Sequence, residues 1–326
     1  MLKQLFTTAM LAAPLLWHAP ALSQAAAWPT KPVKMIVSNA AGSATDTVAR
    51  TFADALAKKF GQPFVVENKT GANGLIATDA VAKSPNDGYT LLFTYAAAHV
   101  VNPVLLDKLP YDVNKDFAAI AQIGAGGNFL VVPPSMPVKD LKEFIAYVKS
   151  RPADELSYGS WGNGSGGHLS MEAIKQQAGL KMKHIPYKSS AAANQDLLAG
   201  HVQAGFSATA LALPLIQAGK MKALAISGTV RAKQMPDVKT MTEQGITFDL
   251  DAYYAMFAPA GTPPAIIKSL NAEIVRLFTA PDMVERWNTL GFTEMPAKTP
   301  EQFAEQVKRD LRDYGAIIKA GNIKAD

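Results

Sequence analysis

The sequence predicts an α/β fold in two lobes. Short β-rich runs alternate with longer segments of helical period, the pattern of α/β architecture. A chain of 326 residues has room for about two domains of 100–200 residues each. Two stretches of small polar residues each fall between a strand and a helix, one in each half of the chain.

Residues 33–37 read as the first strand. Val48, Phe52, Leu56 and Phe60 then recur every four positions, which puts them on one face of a helix that Gly61 ends. Residues 64–66 form a second strand, 74–83 a second helix and 89–94 a third strand. The right-handed crossover rule makes these strands parallel. Residues 129–132 are a strand closed by Pro133, Pro134 and Pro137. Leu141, Phe144, Ile145 and Val148 follow at helical spacing. A strand at 156–160 leads through a Gly-rich turn into a helix at 168–178, and further strands lie at 184–187, 204–207 and 223–227. The chain finishes with a strand at 254–258 and two long helices. Ile267, Leu270, Ile274 and Leu277 mark one; Phe303, Val307, Leu311 and Tyr314 mark the other. Crossings between lobes near 125–128 and 249–253 assign residues 28–126 and 252–326 to lobe 1 and 127–251 to lobe 2.

Lys3, the apolar run 5–17 and a small-residue cleavage site at Ser23-Gln24-Ala25 or Ala25-Ala26-Ala27 describe a secretory signal peptide over 1–27, too short for a membrane span. A buried N-terminal helix is the competing reading. An exported, periplasmic chain is therefore expected. The net charge of +5 suits anionic ligands. Without a dense Lys/Arg run it lacks the clustered patch that nucleic acid requires. There are no cysteines, which excludes disulfides, thiol catalysis, zinc fingers and iron–sulfur clusters.

The two polar turns are Ser38-Asn39-Ala40-Ala41-Gly42-Ser43-Ala44-Thr45-Asp46 and Ser160-Trp161-Gly162-Asn163-Gly164-Ser165-Gly166-Gly167-His168. A strand-to-helix turn offers free N–H groups backed by the helix dipole, and so attracts anions. Helix capping by Ser43 or Thr45, with Asp46 in the first turn, is the plainer reading. Gly162, Gly164 and Gly167 match G-x-G-x-x-G, but the next strand, His184-Ile185-Pro186-Tyr187-Lys188, lacks the acidic residue of a dinucleotide site. No cofactor is expected. His99, His168, His184 and His201 are scattered without metal-ligand spacing, so no metal site is expected. His168 faces two open roles, donation to a ligand oxygen or pairing with a nearby carbonyl.

Other candidates also sit at strand carboxyl ends, where open α/β sheets bind ligands. Tyr95 and His99 follow the third strand, Lys188-Ser189-Ser190 and Ser207-Ala208-Thr209 later ones. Tyr95 reads equally as a half-buried aromatic, Lys188 more readily as a solvated charge. Trp161 either stacks on an aromatic ligand or packs the interlobe edge. Arg50, one turn after Asp46, reads as its ion-pair partner. The candidate ligand-binding set is Ser38, Asn39, Ala40, Gly42, Ser43, Ala44, Thr45, Asp46, Tyr95, Ser160, Trp161, Gly164, Ser165, His168, Ser207 and Ala208. A secreted serine hydrolase or lyase using Ser160 or Ser165 with His168 is the alternative. Neither serine sits in G-x-S-x-G, and no recognisable nucleophile–base pair appears.

A set of motifs in order carries a family resemblance. They are Trp28-Pro29-Thr30-Lys31-Pro32, Asp46-Thr47-Val48-Ala49-Arg50, Val66-Glu67-Asn68-Lys69-Thr70-Gly71-Ala72-Asn73-Gly74 and Asp87-Gly88-Tyr89-Thr90-Leu91. Pro186-Tyr187-Lys188, Leu197-Leu198-Ala199-Gly200 and Phe257-Ala258-Pro259-Ala260-Gly261-Thr262-Pro263 complete the set. Over essentially the whole mature chain, the sequence resembles the extracytoplasmic receptors of tripartite tricarboxylate transporters, the Bug or TctC family. The resemblance implies a two-lobed, type II-like periplasmic-binding-protein fold that closes on a carboxylate and delivers it to a separate membrane permease. It also implies a ligand held by backbone amides, hydroxyls and ordered water rather than by an arginine. The family's first loop usually carries proline and then glycines; here it reads Ala40-Ala41-Gly42-Ser43-Ala44. That change, with Trp161 in the second loop, points to an aromatic dicarboxylate such as terephthalate. A monomer is expected, because no large apolar stripe is visible; a sensor role in place of transport is a further alternative.

Overall fold

The computed structural model describes residues 28–106, 108–248, 250–320 and 323. The expected signal peptide at 1–27 lies outside them, as does Asp249 at the second expected crossing. In chain order the first elements are β1 (Val33–Val37), α1 (Ala44–Phe60), β2 (Phe64–Asn68), α2 (Leu75–Ala82), β3 (Thr90–Tyr95), α3 (Ala96–Val100), α4 (Asn102–Leu105) and β4 (Phe117–Gly126). Next come β5 (Asn128–Val132), α5 (Leu141–Lys149), β6 (Ser157–Ser160), α6 (Gly166–Ala178), β7 (Lys183–Pro186), α7 (Ser190–Leu198), β8 (Ala204–Ala208), α8 (Thr209–Gln217) and β9 (Lys222–Ile226). The chain ends with β10 (Ala252–Pro259), α9 (Pro264–Phe278), α10 (Pro281–Thr289) and α11 (Pro300–Ala320).

Two five-stranded sheets result, ordered β2-β1-β3-β10-β4 and β7-β6-β8-β5-β9. β1 runs parallel to β2 and β3, as the crossover rule requires. β10 returns late in the chain and pairs antiparallel with both β3 and β4. In the second sheet β6 is parallel to β7 and β8, and β5 is antiparallel to β8 and β9. The chain passes from the first sheet to the second at Gly127. A side chain there is impossible, because a Cβ would lie 1.6 Å from the Ser227 carbonyl oxygen.

Period-2 alternation sends the first sheet's side chains to two separate cores. Met35, Val37, Leu91, Phe93, Met256 and Ala258 join one core with α1 and α9. Ile36, Leu92, Ala255 and Phe257 join the other, which continues into the second sheet through Leu130 and Phe206 and takes in Phe303 and Tyr314 of α11. The Ser43 side chain caps α1 by accepting from the Asp46 N–H, and Gly61 ends the helix at φ 70°. On the buried face, Phe52 stacks on Trp287 of α10 with centroids 5.0 Å apart. We expect Phe52→Ala to lower stability by about 3–5 kcal/mol, measured by denaturant unfolding; a loss under about 1 kcal/mol would contradict this packing.

Candidate functional site

The parallel strands of both sheets end toward one cavity of about 250 Å³. From the first sheet, Asn39, Ala40, Gly42, Ser43, Ala44 and Thr45 line it after β1, with Tyr95 at the end of β3. From the second, Trp161 and Gly166 line it after β6, Lys188 to Ala191 after β7, and Ala208 to Leu211 at the end of β8. Tyr254, Phe292, Phe248 and Tyr314 add aromatic wall. Of the sequence candidates, Asn39, Ala40, Gly42, Ser43, Ala44, Thr45, Tyr95, Trp161 and Ala208 meet at this cavity. Ser38, Asp46, Ser160, Gly164, Ser165, His168 and Ser207 lie behind the wall and shape it instead.

Asp46 pins the first loop. Its Oδ2 accepts from the Gly42 N–H at 2.9 Å and from Arg50 Nε at 3.0 Å, and its Oδ1 accepts from Asn68 Nδ2 at 2.9 Å. The same amide donates to the Asn39 carbonyl at 2.8 Å. The Gly42 N–H therefore holds the loop in shape and does not point at a guest. The ion pair with Arg50 is the one expected from their spacing. Burial raises the Asp46 carboxyl, but the Arg50, Gly42 and Asn68 donors outweigh it and hold the carboxyl below its ordinary value. Ser38 is buried with its hydroxyl 2.9 Å from that of Thr94.

The second loop is held by imidazoles. Ser165 caps α6, accepting from the His168 N–H at 3.3 Å, while His168 Nδ1 accepts from the Gly164 N–H at 3.1 Å. A backbone amide thus takes Nδ1, while Nε2 lies 3.9 Å from Glu172 Oε1. His168 stacks on His184 with centroids 4.0 Å apart. Burial pushes them down to about 4 and about 3, with His168 lowering His184 further, so both rings are neutral at pH 7. Ser160 is fully buried and its Oγ lies 2.7 Å from Nε2 of His184, not of His168. Trp161 lies across the start of α6; a Cβ on Gly167 would fall 2.5 Å from its ring. Glycine at 167 therefore serves that packing, which accounts for the end of the G-x-G-x-x-G match.

Two further residues turn away from the cavity. Ser207 is buried and accepts from Asn194 Nδ2 at 2.8 Å. His99 packs in the core, stacked on Phe257 at 4.0 Å. Tyr95 lines the cavity, but its hydroxyl donates to Asn73 Oδ1. Sequence reasoning passed over Asn128 and Ser227, which line the cavity beside the crossing at Gly127, the Ser227 hydroxyl accepting from the Asn128 N–H at 2.9 Å. It also passed over the aromatic wall, whose members come from four separate segments and carry no local signal. Lys188, read as a solvated charge, lines the cavity too.

Five helices, α1, α3, α6, α7 and α8, begin at the cavity wall. Ser43 and Ser189 each satisfy one N–H of α1 and α7, and α8 has no side-chain cap. First-turn N–H groups lack intrahelical partners, and each helix start carries roughly half a positive charge. Among the described residues no Asp, Glu, Arg or His lines the cavity, and Lys188 is the one charged group that does. Such a wall attracts an anion and offers a carboxylate no like charge.

The sequence pattern of the tripartite tricarboxylate transporter family receptor, TctC, matches residues 48–323. The chain belongs to that family. It is similar to protein BugT of Bordetella pertussis, 35% identical over 299 residues and 91% of each chain. Among solved structures it is similar to R. palustris Rpa4515 with adipate, at TM-score 0.84 and 31% identity, over 91% of this chain and 99% of that one. MatC from Rhodopseudomonas palustris with bound malate superimposes at TM-score 0.80 and 32% identity, over 89% and 100%. The fold is the two-lobed periplasmic-binding-protein fold, as the resemblance implied.

Asp46→Asn tests the pinning of the first loop. A carboxyl held below its ordinary value stabilises the fold at pH above that value and loses the effect as it protonates. We expect a loss of about 1–2 kcal/mol at pH 7, at the modest end because Arg50 is half exposed, with the gap to wild type shrinking below about pH 3.9. Urea unfolding at several pH values measures it; a gap that does not change with pH would contradict the role.

Proposed function

We propose that this protein is a periplasmic receptor that captures a carboxylate and hands it unchanged to the membrane permease of a tripartite tricarboxylate transporter. The ligand that fits best is an aromatic dicarboxylate such as terephthalate. The observation that carries the reading is a cavity walled by five helix starts, with a single cation and no acid among its described lining residues. Each charge-assisted hydrogen bond to a carboxylate is worth about 1.5–3 kcal/mol, so a few converging donors suffice without an arginine. Trp161, Tyr254 and Phe292 supply apolar surface for a ring.

The adipate and malate held by its structural neighbours support a carboxylate ligand here. Export by the signal peptide at 1–27 places the receptor in the periplasm as a monomer. Its lobes, 28–126 with 252–326 and 127–251, close on the ligand by hinge motion. The lining members of the candidate set bind it; Ser38, Asp46, Ser160, Gly164, Ser165, His168 and Ser207 hold the loops that do so. Catalysis is disfavoured by the burial of Ser160 and Ser165 away from the cavity.

Titration calorimetry against terephthalate, adipate, malate and citrate tests the proposal. At least one acid is expected to bind tighter than about 100 μM and to be recovered with unchanged mass. Failure of all four to bind contradicts the receptor reading. Turnover that disappears in Ser160→Ala contradicts it in favour of a hydrolase.

A further inference from the structure

We infer that Lys188 reads the second carboxylate of a dianionic ligand, so that the receptor takes dicarboxylates in preference to monocarboxylates of the same body. The inference rests on the carboxylate capture proposed above and adds the residue that sets the charge of the guest.

Lys188 lies between β7 and α7 and is the one charged side chain among the described residues lining the cavity. Among the described residues no carboxylate pairs with its ammonium, and no acid lines the cavity that could do so. A cation left unpaired at the wall of a binding cavity is available to the guest. When the lobes close, that ammonium moves toward a drier environment. There a charge without a counter-charge is costly.

The placement of the two positive regions gives the guest its shape. One is the start of α1, reached from the first sheet through Ser43, Ala44 and Thr45. The other is Lys188 with the start of α7 behind it, reached from the second sheet, where Ser189 occupies only one of the first-turn N–H groups. A guest with a carboxylate at each end answers both regions and ties the lobes together. A monocarboxylate answers one and leaves Lys188 facing an apolar body. The rival arrangement puts one carboxylate at the helix starts and an apolar tail against Phe248 and Leu250 near the second crossing; it leaves Lys188 without a role.

Calorimetry with two matched pairs, terephthalate against benzoate and adipate against hexanoate, separates these on wild type, Lys188→Met and Lys188→Arg. Lys188 is exposed and unpaired, so both variants should fold, and circular dichroism checks this. Wild type is expected to prefer the dicarboxylate of a pair by about tenfold or more. Lys188→Met should lose that preference by weakening the dicarboxylate alone, and Lys188→Arg should keep it. Unchanged dicarboxylate affinity in Lys188→Met, or equal weakening of both members of a pair, overturns the role of Lys188 while leaving the receptor reading intact. A wild-type preference for the monocarboxylates overturns it in favour of the apolar-tail arrangement. No binding of any of the four acids by wild type overturns this inference, and carboxylate capture falls with it only when malate and citrate also fail to bind.

Discussion

The first turn of a helix carries N–H groups that no carbonyl of the same helix can reach, together with the positive end of its dipole. In a parallel β-α unit each helix begins where the preceding strand ends. The sheet therefore aims its helix starts toward one edge. Here two sheets share that edge, with α1 and α3 approaching from one and α6, α7 and α8 from the other. The positive character of the cavity follows mainly from topology, with Lys188 the one cationic side chain added to it among the described residues. An acid in the wall would cancel it, and small residues such as Ala40, Ala44 and Ala208 let an oxygen come close to the backbone.

A site built on backbone donors needs rigid loops, since a loop that must order itself on binding loses affinity to conformational entropy. The residues behind the wall supply that rigidity. Asp46 ties Gly42, Arg50 and Asn68 together under the first loop. Neutral His168 takes the Gly164 amide under the second, and its stacking on His184 and the Ser160 contact extend the support inward. Between them Gly164 approaches Val101 and Leu105 so closely that a Cβ would fall within about 3 Å of both, which brings the second loop against α4. Polar residues in these turns thus divide into those that face the cavity and those that hold its shape.

That division explains what was legible beforehand. The fourfold spacing of Val48, Phe52, Leu56 and Phe60 announces α1, and the apolar run at 33–37 announces β1, because both report burial through local period. β4 is invisible by the same rule: Phe117-Ala118-Ala119-Ile120-Ala121-Gln122-Ile123-Gly124-Ala125-Gly126 is mostly small residues whose strand state comes from pairing with β10. α10 shows only Met283 and Trp287 to the core. The two loops were found because strand, small polar turn and helix follow one another in sequence. The Ser43 cap and the Asp46–Arg50 pair were legible too, being local, but whether Asp46 also faces a ligand or the Gly42 amide was not, because that depends on Asn68, 22 residues away. Tyr254 and Phe292 become neighbours only through the fold, with centroids 5.8 Å apart.

The central claim concerns which atoms meet the anion, and backbone amide chemical shifts report on it directly. In a titration of the isotope-labelled protein with a bound dicarboxylate, the account predicts the largest amide shifts at Ala44 and Thr45, at Ser190 and Ala191, and at Thr209 and Ala210. The Gly42 and Gly164 amides, already bonded to Asp46 and His168, should move less. The largest shifts at amides remote from the helix starts that line the cavity, with those starts unmoved, would contradict it.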